Sequence, residues 1–360
     1  MTKFIYSDSD LRASLNTGAK QNAKAKELAL SHLNIRAMKA RSVDIQGFFS
    51  RTLIVTTESG KIIVQLRVEP LDIDIFRRAR QALGDVVPDI AKIRDEALER
   101  EEIWPYYMTF IPGRTWQRSA AFCNRALNVT CAKSLGRSLS HGFSAMVDEE
   151  NRPRANQIKP FREDTQRLLD NSDQLKTLPL FISHADLNHV NILVQEDGEV
   201  SGIVDWELSS DLPFGMGCCR IHDLVGRFTV GEFHMPEGFE DAERGFWEAI
   251  LDGIPTDVRR VLDTNLYAVQ TSIHIGALLD TLDIQSDSFN LAGLKALPKF
   301  LTYRIPALRG QEPPYILGER SQNMEMCSLL AHYDVNPLHN ATYSRKERLA
   351  KGRVDEKREM

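Results

Sequence analysis

The sequence predicts an α+β chain in two lobes, a small antiparallel sheet on the N-terminal side followed by a larger, mainly helical portion. Strand-like runs separated by short turns crowd residues 52–68 and 89–111, and from Ser119 onward the apolar spacing becomes helical. A chain of 360 residues with 42% hydrophobic content can also bury a sizeable core and usually divides. The implied boundaries are a helical extension over 1–42, the sheet lobe over 43–112, the helical lobe over 113–340 and a charged tail over 341–360.

Taken in order, Gly18–Arg41 is rich in Ala, Lys, Leu and Glu, which favours a helix that Asn16 or Thr17 can cap. Gly47 introduces a hairpin in which Thr52–Thr57 and Lys61–Val68 are strands and Glu58-Ser59-Gly60 is the turn. On the second strand Ile62, Val64, Leu66 and Val68 share one face, and Lys61, Ile63, Gln65 and Arg67 the other. Asp72–Leu83 reads as a helix stopped by Gly84, and residues 89–111 as a further hairpin ending at Pro112-Gly113. Helical patterns follow over Ser119–Val147, Gln157–Asp170, Val258–Leu282, Leu291–Tyr303 and Ser321–Tyr333.

The densest chemistry lies in Phe181–Glu207. His184, Asp186 and Asn191 stand in the order H-x-D-x-x-x-x-N, directly before the apolar run Ile192-Leu193-Val194. A turn at Glu196–Glu199 then leads to Gly202-Ile203-Val204 and ends on Asp205. Pairing these runs brings Asn191 and Asp205 to one end of a hairpin. An amide oxygen and a carboxylate there suit Mg²⁺, which takes hard oxygen ligands and keeps several waters. A second carboxylate, Asp186, is then free to orient an attacking hydroxyl, and His184 braces the loop. Read singly, each of these residues is more often a solvated acid near a turn or a satisfied core histidine; the ordered set reverses that balance and points to phosphoryl transfer.

The set His184-Ala185-Asp186 through Asn191-Ile192-Leu193, with Ile203-Val204-Asp205-Trp206-Glu207, resembles the aminoglycoside phosphotransferase and choline kinase-like family, although Ala185 replaces the usual glycine. The resemblance implies a two-lobed protein kinase-like fold, small antiparallel sheet first and helical lobe second. It also implies ATP and Mg²⁺ as cofactors and a small-molecule hydroxyl as acceptor, with Asp186 and His184 catalytic and Asn191 and Asp205 on the metal. Asp205-Trp206-Glu207 in place of D-F-G, with no A-P-E segment after it, favours a small-molecule kinase over a protein kinase.

By the same resemblance Gly47 belongs to the loop covering the nucleotide, and Gln65 or Arg67 occupies the position contacting the α- and β-phosphates. Arg67 is preferred, because a guanidinium grips phosphate oxygens in a bidentate way. Gln65 would instead keep apolar Ile63 at the adenine position two residues back. Tyr107–Gly113, including Met108 and Phe110, resembles the hinge whose backbone meets adenine. The helix over 72–83 carries no glutamate to pair with the strand cation, so no such partner is assigned.

Net charge is −5, which gives no global basic field for nucleic acid or anionic membrane. No run approaches the ~18 apolar residues of a span, and the first residues lack a signal-peptide core, so a cytoplasmic chain is expected. Five cysteines without C-x-x-C spacing argue against a disulfide framework and a zinc site. Between Asp205 and Asp252 eleven acids face three arginines, a bias that either attracts a cationic acceptor or forms a solvated helix face. Two other classes stay open: a catalytically weak nucleotide-binding scaffold, and a kinase-like fold turned to other small-metabolite chemistry. Oligomeric state is not legible.

Overall fold

The computed structural model describes residues 4–144, 167–168, 170–229, 232–283, 288–289 and 291–306. The helices expected over Gln157–Asp170 and Ser321–Tyr333 and the charged tail lie wholly or mostly outside these residues.

Helix α1 (Gly18–Leu33) begins where the Thr17 side chain accepts the Lys20 backbone N–H, and it ends at Asn34, whose φ is 54°. Asparagine tolerates this left-handed conformation, and the Ile35 N–H turns back to the Ala29 carbonyl at 2.9 Å. The helix therefore stops well short of Arg41, and β1 (Ala37–Ser42) is a strand. Helix propensity in Ala, Lys and Arg carried the reading too far; sheet pairing overrides it.

Strands β2 (Ser50–Thr57), β3 (Gly60–Arg67), β4 (Ile90–Lys92) and β5 (Trp104–Thr109) complete an antiparallel sheet in the order β1-β2-β3-β5-β4. The alternation read in β3 is the one observed. Ile62, Val64 and Leu66 join Leu53 and Val55 in a buried cluster with Ala25, Leu28 and Ala29 of α1. The opposite face, with Ile63, Gln65 and Arg67, is left for the site. Helix α2 (Ile73–Leu83) is capped by Asp72, which accepts the Asp74 N–H, and ends at Gly84 with φ 73°. It buries Ile75, Phe76, Ala79 and Leu83. Between β4 and β5 stands a five-residue helix, α3 (Glu96–Arg100), capped by Asp95, where a plain hairpin was expected.

The larger apolar cluster fills the helical portion. Here stand α4 (Arg125–Leu139), α5 (Ile221–Val225), α6 (Phe239–Gly253), α7 (Thr256–Thr264), α8 (Leu266–Thr281) and α9 (Leu291–Thr302). Helices α4 and α6 cross at Gly136, where a Cβ would lie 2.4 Å from the Phe246 carbonyl oxygen, so only glycine permits the approach. The helix read as Val258–Leu282 is two, α7 and α8, broken at Asn265.

Two small sheets frame the organising stretch. One is β11 (Ser210–Pro213), β8 (Leu180–Ser183) and β7 (Phe143–Ser144); the other is β10 (Val200–Ile203), β9 (Ile192–Val194) and β6 (Arg114–Thr115). The architecture is thus an antiparallel sheet region followed by a helical one. No helix among the described residues is long and apolar enough to cross a membrane.

Candidate active site

Strand β8 is buried along its whole length and delivers the chain to His184. The loop that follows folds on its own polar groups. Leu187 N–H donates to the His184 carbonyl at 3.1 Å, Val190 N–H to the Asn188 side-chain oxygen at 3.0 Å, and Asn191 N–H to the Asn188 carbonyl at 3.0 Å. The chain then enters β9, which pairs with β10 so that Ile192 faces Ile203. One step beyond, Val204 N–H donates to the Asn191 carbonyl at 2.9 Å. Asn191 and Asp205 therefore leave the hairpin at the same end.

Asp205 has φ 70°, a left-handed conformation uncommon for a residue with a Cβ. It turns the chain out of the strand line at the point where the carboxylate stands. Trp206 anchors the bend: fully buried, it donates its indole N–H to the Ile203 carbonyl at 2.8 Å. His184 packs edge-on against Trp206, ring centroids 4.7 Å apart, and its Nε2 lies 2.8 Å from the Val204 carbonyl. Burial lowers its pKa, so the ring is neutral and Nε2–H is the donor. The histidine thus joins the loop carrying Asp186 to the strand carrying Asp205.

Asp186 is held by two asparagines. Its Oδ1 accepts Asn188 Nδ2–H at 2.8 Å and its Oδ2 accepts Asn191 Nδ2–H at 3.1 Å, while its backbone carbonyl accepts Asn191 Nδ2–H at 2.8 Å. With its nitrogen so engaged, Asn191 is left with its amide oxygen for a cation. Behind the loop Arg220 donates to the Ala185 carbonyl at 3.2 Å and forms an ion pair with Asp280. Burial pushes the Asp280 carboxyl up to about 7; Arg220 opposes the rise, and the Asp223 and Asp186 charges add to it.

The sheet contributes the other wall. Arg67, 5% exposed, forms an ion pair with Glu207, two residues after Asp205. Its Nη1 lies 3.4 Å from Gln65 Oε1, and Gln65 Nε2 donates to Ser50 Oγ at 3.1 Å and Thr52 Oγ1 at 3.2 Å. Gln65 thus spends its nitrogen on β2 and turns its oxygen toward Arg67. Burial raises the Glu207 carboxyl above its usual range; Arg67 pulls it down, and Asp205 and Asp186 add to the rise. A second pair joins Arg78 of α2 to Asp211 of β11 at 2.6 Å.

Ile63 faces Met108 directly across β3 and β5, so these two sequence-predicted residues are neighbours. Phe110 lies just past β5, with the Lys61 ammonium 5.2 Å from its ring centroid. Gly47 sits in the loop between β1 and β2, where its carbonyl accepts Arg51 Nη1–H at 3.2 Å. That loop is linked to the helical portion by an Asp44–Arg118 ion pair. The structure therefore gathers His184, Asp186, Asn191 and Asp205 into one cluster and connects Arg67 and Gln65 to it through Glu207. Asn188, Arg220, Asp280 and the pairing role of Glu207 escaped the sequence reading. Asn188 carried a local signal, a side-chain amide two residues after an aspartate in a turn; Arg220 and Asp280 stand 60 residues apart and carried none.

Many acids of the 205–252 segment are neutralised. Glu237 and Asp241 pair with Arg125, Asp211 with Arg78 and Glu207 with Arg67. Among the described residues no group of three or more His, Cys, Asp or Glu is arranged to hold a metal. One carboxylate and one amide oxygen, as at Asp205 and Asn191, fit a hard cation that keeps its other ligands as water or phosphate oxygens.

Residues 45–214 match the model of the phosphotransferase enzyme family. No curated protein sequence matches the chain. Among solved structures, an ethanolamine kinase of Plasmodium vivax is 14% identical, over 77% of this chain and 86% of that one, with a TM-score of 0.46. An aminoglycoside phosphotransferase in ternary complex with AMP-PNP and hygromycin B is 12% identical, over 80% and 99%, with a TM-score of 0.46. A macrolide 2'-phosphotransferase from Brachybacterium faecium is 18% identical, over 80% and 99%, with a TM-score of 0.38.

Proposed function

We propose, from the match of residues 45–214 to the phosphotransferase enzyme family, that the chain moves the γ-phosphoryl group of ATP to a hydroxyl of a small molecule, with Mg²⁺. The observation that carries the proposal is the hairpin register. Ile192 opposite Ile203 puts the Asn191 amide and the Asp205 carboxylate at one end, beside an Asp186 oriented by two asparagine amides.

In this reading Asn191 and Asp205 hold Mg²⁺, which when bound neutralises charge on the phosphates. Arg67 grips the α- and β-phosphates, and Gln65, tied to β2 through Ser50 and Thr52, orients it. Ile63 and Met108 give the adenine an apolar seat. Asp186 accepts a hydrogen bond from the acceptor hydroxyl and aims its oxygen at the phosphorus; in a loose phosphoryl-transfer transition state, positioning is most of what a carboxylate supplies. His184 acts by fixing the spacing between the loop and the Asp205 strand.

Acceptor chemistry is chosen by test. The similar structures include proteins named for spectinomycin, hygromycin B, macrolides and ethanolamine, so a screen of amino alcohols, polyols, aminoglycosides and macrolides is the starting panel. A nucleotide thermal-shift assay with and without Mg²⁺ comes first, then ADP release across that panel. Stabilisation by ATP with Mg²⁺ and ADP release with at least one acceptor are the expected results. Binding without transfer across the panel would favour a nucleotide-binding scaffold, and no nucleotide binding would remove the proposal.

A further inference from the structure

We infer that Glu207 is the carboxylate that positions the phosphate-gripping Arg67, the task left vacant by a helix α2 that has no glutamate. The inference rests on the phosphotransferase reading and adds to it a residue to which that reading assigns no role.

A buried guanidinium needs an anion, because its desolvation is otherwise uncompensated. Arg67 is 5% exposed and pairs with the Glu207 carboxylate. The Gln65 amide oxygen and the Glu69 carbonyl lie farther off, both at 3.4 Å. An unrestrained arginine must give up rotamer freedom to grip a phosphate, and a pinned fork has less of it to lose. Helix α2, with the sequence IDIFRRARQAL, offers no competing glutamate. It supplies the opposite charge instead: Arg78 reaches across to Asp211, so on this wall the sheet and α2 give cations and the segment after Asp205 gives anions.

Glu207 follows Asp205 by two residues, and Trp206 between them is locked by its bond to the Ile203 carbonyl. The metal carboxylate and the carboxylate holding Arg67 are thus set on one rigid bend. The inferred work of Glu207 is to fix the phosphate cation at a constant offset from the metal.

The test is binding of ATP, ADP and adenosine to the full chain, with and without Mg²⁺, in wild type, Glu207→Gln, Glu207→Asp, Arg67→Ala and the Arg67→Ala/Glu207→Gln double variant. Glu207→Gln is expected to weaken ATP and ADP by about tenfold, the scale of one charge-assisted hydrogen bond. The loss is the same with and without Mg²⁺, adenosine is unaffected, and the double variant is no weaker than Arg67→Ala. Glu207→Asp keeps the charge on a shorter arm and loses less; it carries the test if Glu207→Gln does not fold. Tighter ATP binding by Glu207→Gln would overturn the inference by making the pair a competitor of phosphate. A loss confined to Mg²⁺-containing samples would place Glu207 on the metal, and an equal loss for adenosine would make its role merely structural; both also overturn it. Wild type that binds no nucleotide overturns the phosphotransferase reading and the inference with it. Wild type that binds ATP beside an unaffected Glu207→Gln overturns the inference alone.

Discussion

Asn191 donates its side-chain amide to both the carbonyl and the carboxylate of Asp186, at 2.8 and 3.1 Å, so the residue proposed for the metal also sets the orientation of the residue proposed for the acceptor. Asp186→Asn keeps the shape and removes the charge. ATP affinity with Mg²⁺ is expected to change less than about threefold, below the 1.4 kcal/mol that makes a factor of ten. Turnover with a positive acceptor should fall by ~10²–10⁴-fold. Near-wild-type turnover in this variant would remove Asp186 from the mechanism.

Asp205→Asn is the cleanest probe of the metal end. Asparagine accepts the φ of 70° that Asp205 adopts, so the bend and the fold survive. Mg²⁺ should then no longer raise ATP affinity. A titration of Mg²⁺ against ATP binding decides the matter, and an unchanged response would contradict the assignment. Asp205→Ala should show the same loss with a lower melting temperature, since alanine is strained there.

For the phosphate cation, Arg67→Ala is expected to weaken ATP binding by about 1.5–3 kcal/mol. Gln65→Lys in that background should not restore it, because the side chain at this position is directed toward Ser50 and Thr52 of β2. Recovery of affinity by Gln65→Lys would shift the phosphate contact two residues along β3.

Stability should respond to His274. Burial lowers its pKa to about 4, with Nε2 3.1 Å from the Tyr303 carbonyl. Between about pH 6.5 and 4 the unfolded chain binds a proton that the folded chain refuses. This contribution to folding is therefore present above pH 6.5 and lost as pH falls toward 4, by about 1.4 kcal/mol per unit. Asp280, raised to about 7, has the opposite sign, losing stability as pH rises toward 7. The His274→Gln difference isolates the histidine. Urea unfolding at pH 4.5, 5.5 and 6.5 should show a slope against pH lower by about one proton in the variant.

What was legible in the sequence was local. The hairpin from Ile192 to Ile203 announced itself through a turn flanked by β-branched runs, and the two faces of β3 followed from a period of two. Helix α2 showed its stop, Gly84, in the sequence, and Asp72, read as its first residue, is its N-cap. What failed was competition between local preference and the fold. The Ala- and Lys-rich run continued past Leu33, but Asn34 took a left-handed turn and the next residues were drawn into the sheet. The Arg67–Glu207 pair was invisible because nothing in the period or spacing of one segment reports on a partner 140 residues away.

That separation has a bearing on how the site comes into being. Asn191 and Asp205 are joined by a tight turn, whereas Arg67 and Glu207 meet only after a long loop has closed, and such closure is slow because its entropy must be met before the contact rewards it. The metal end should therefore mature early on the folding path and the phosphate end late. Arg67→Ala is therefore expected to speed unfolding with little effect on the refolding rate in stopped-flow kinetics, and a refolding rate slowed in step with the stability loss would mean that both ends assemble in one cooperative step.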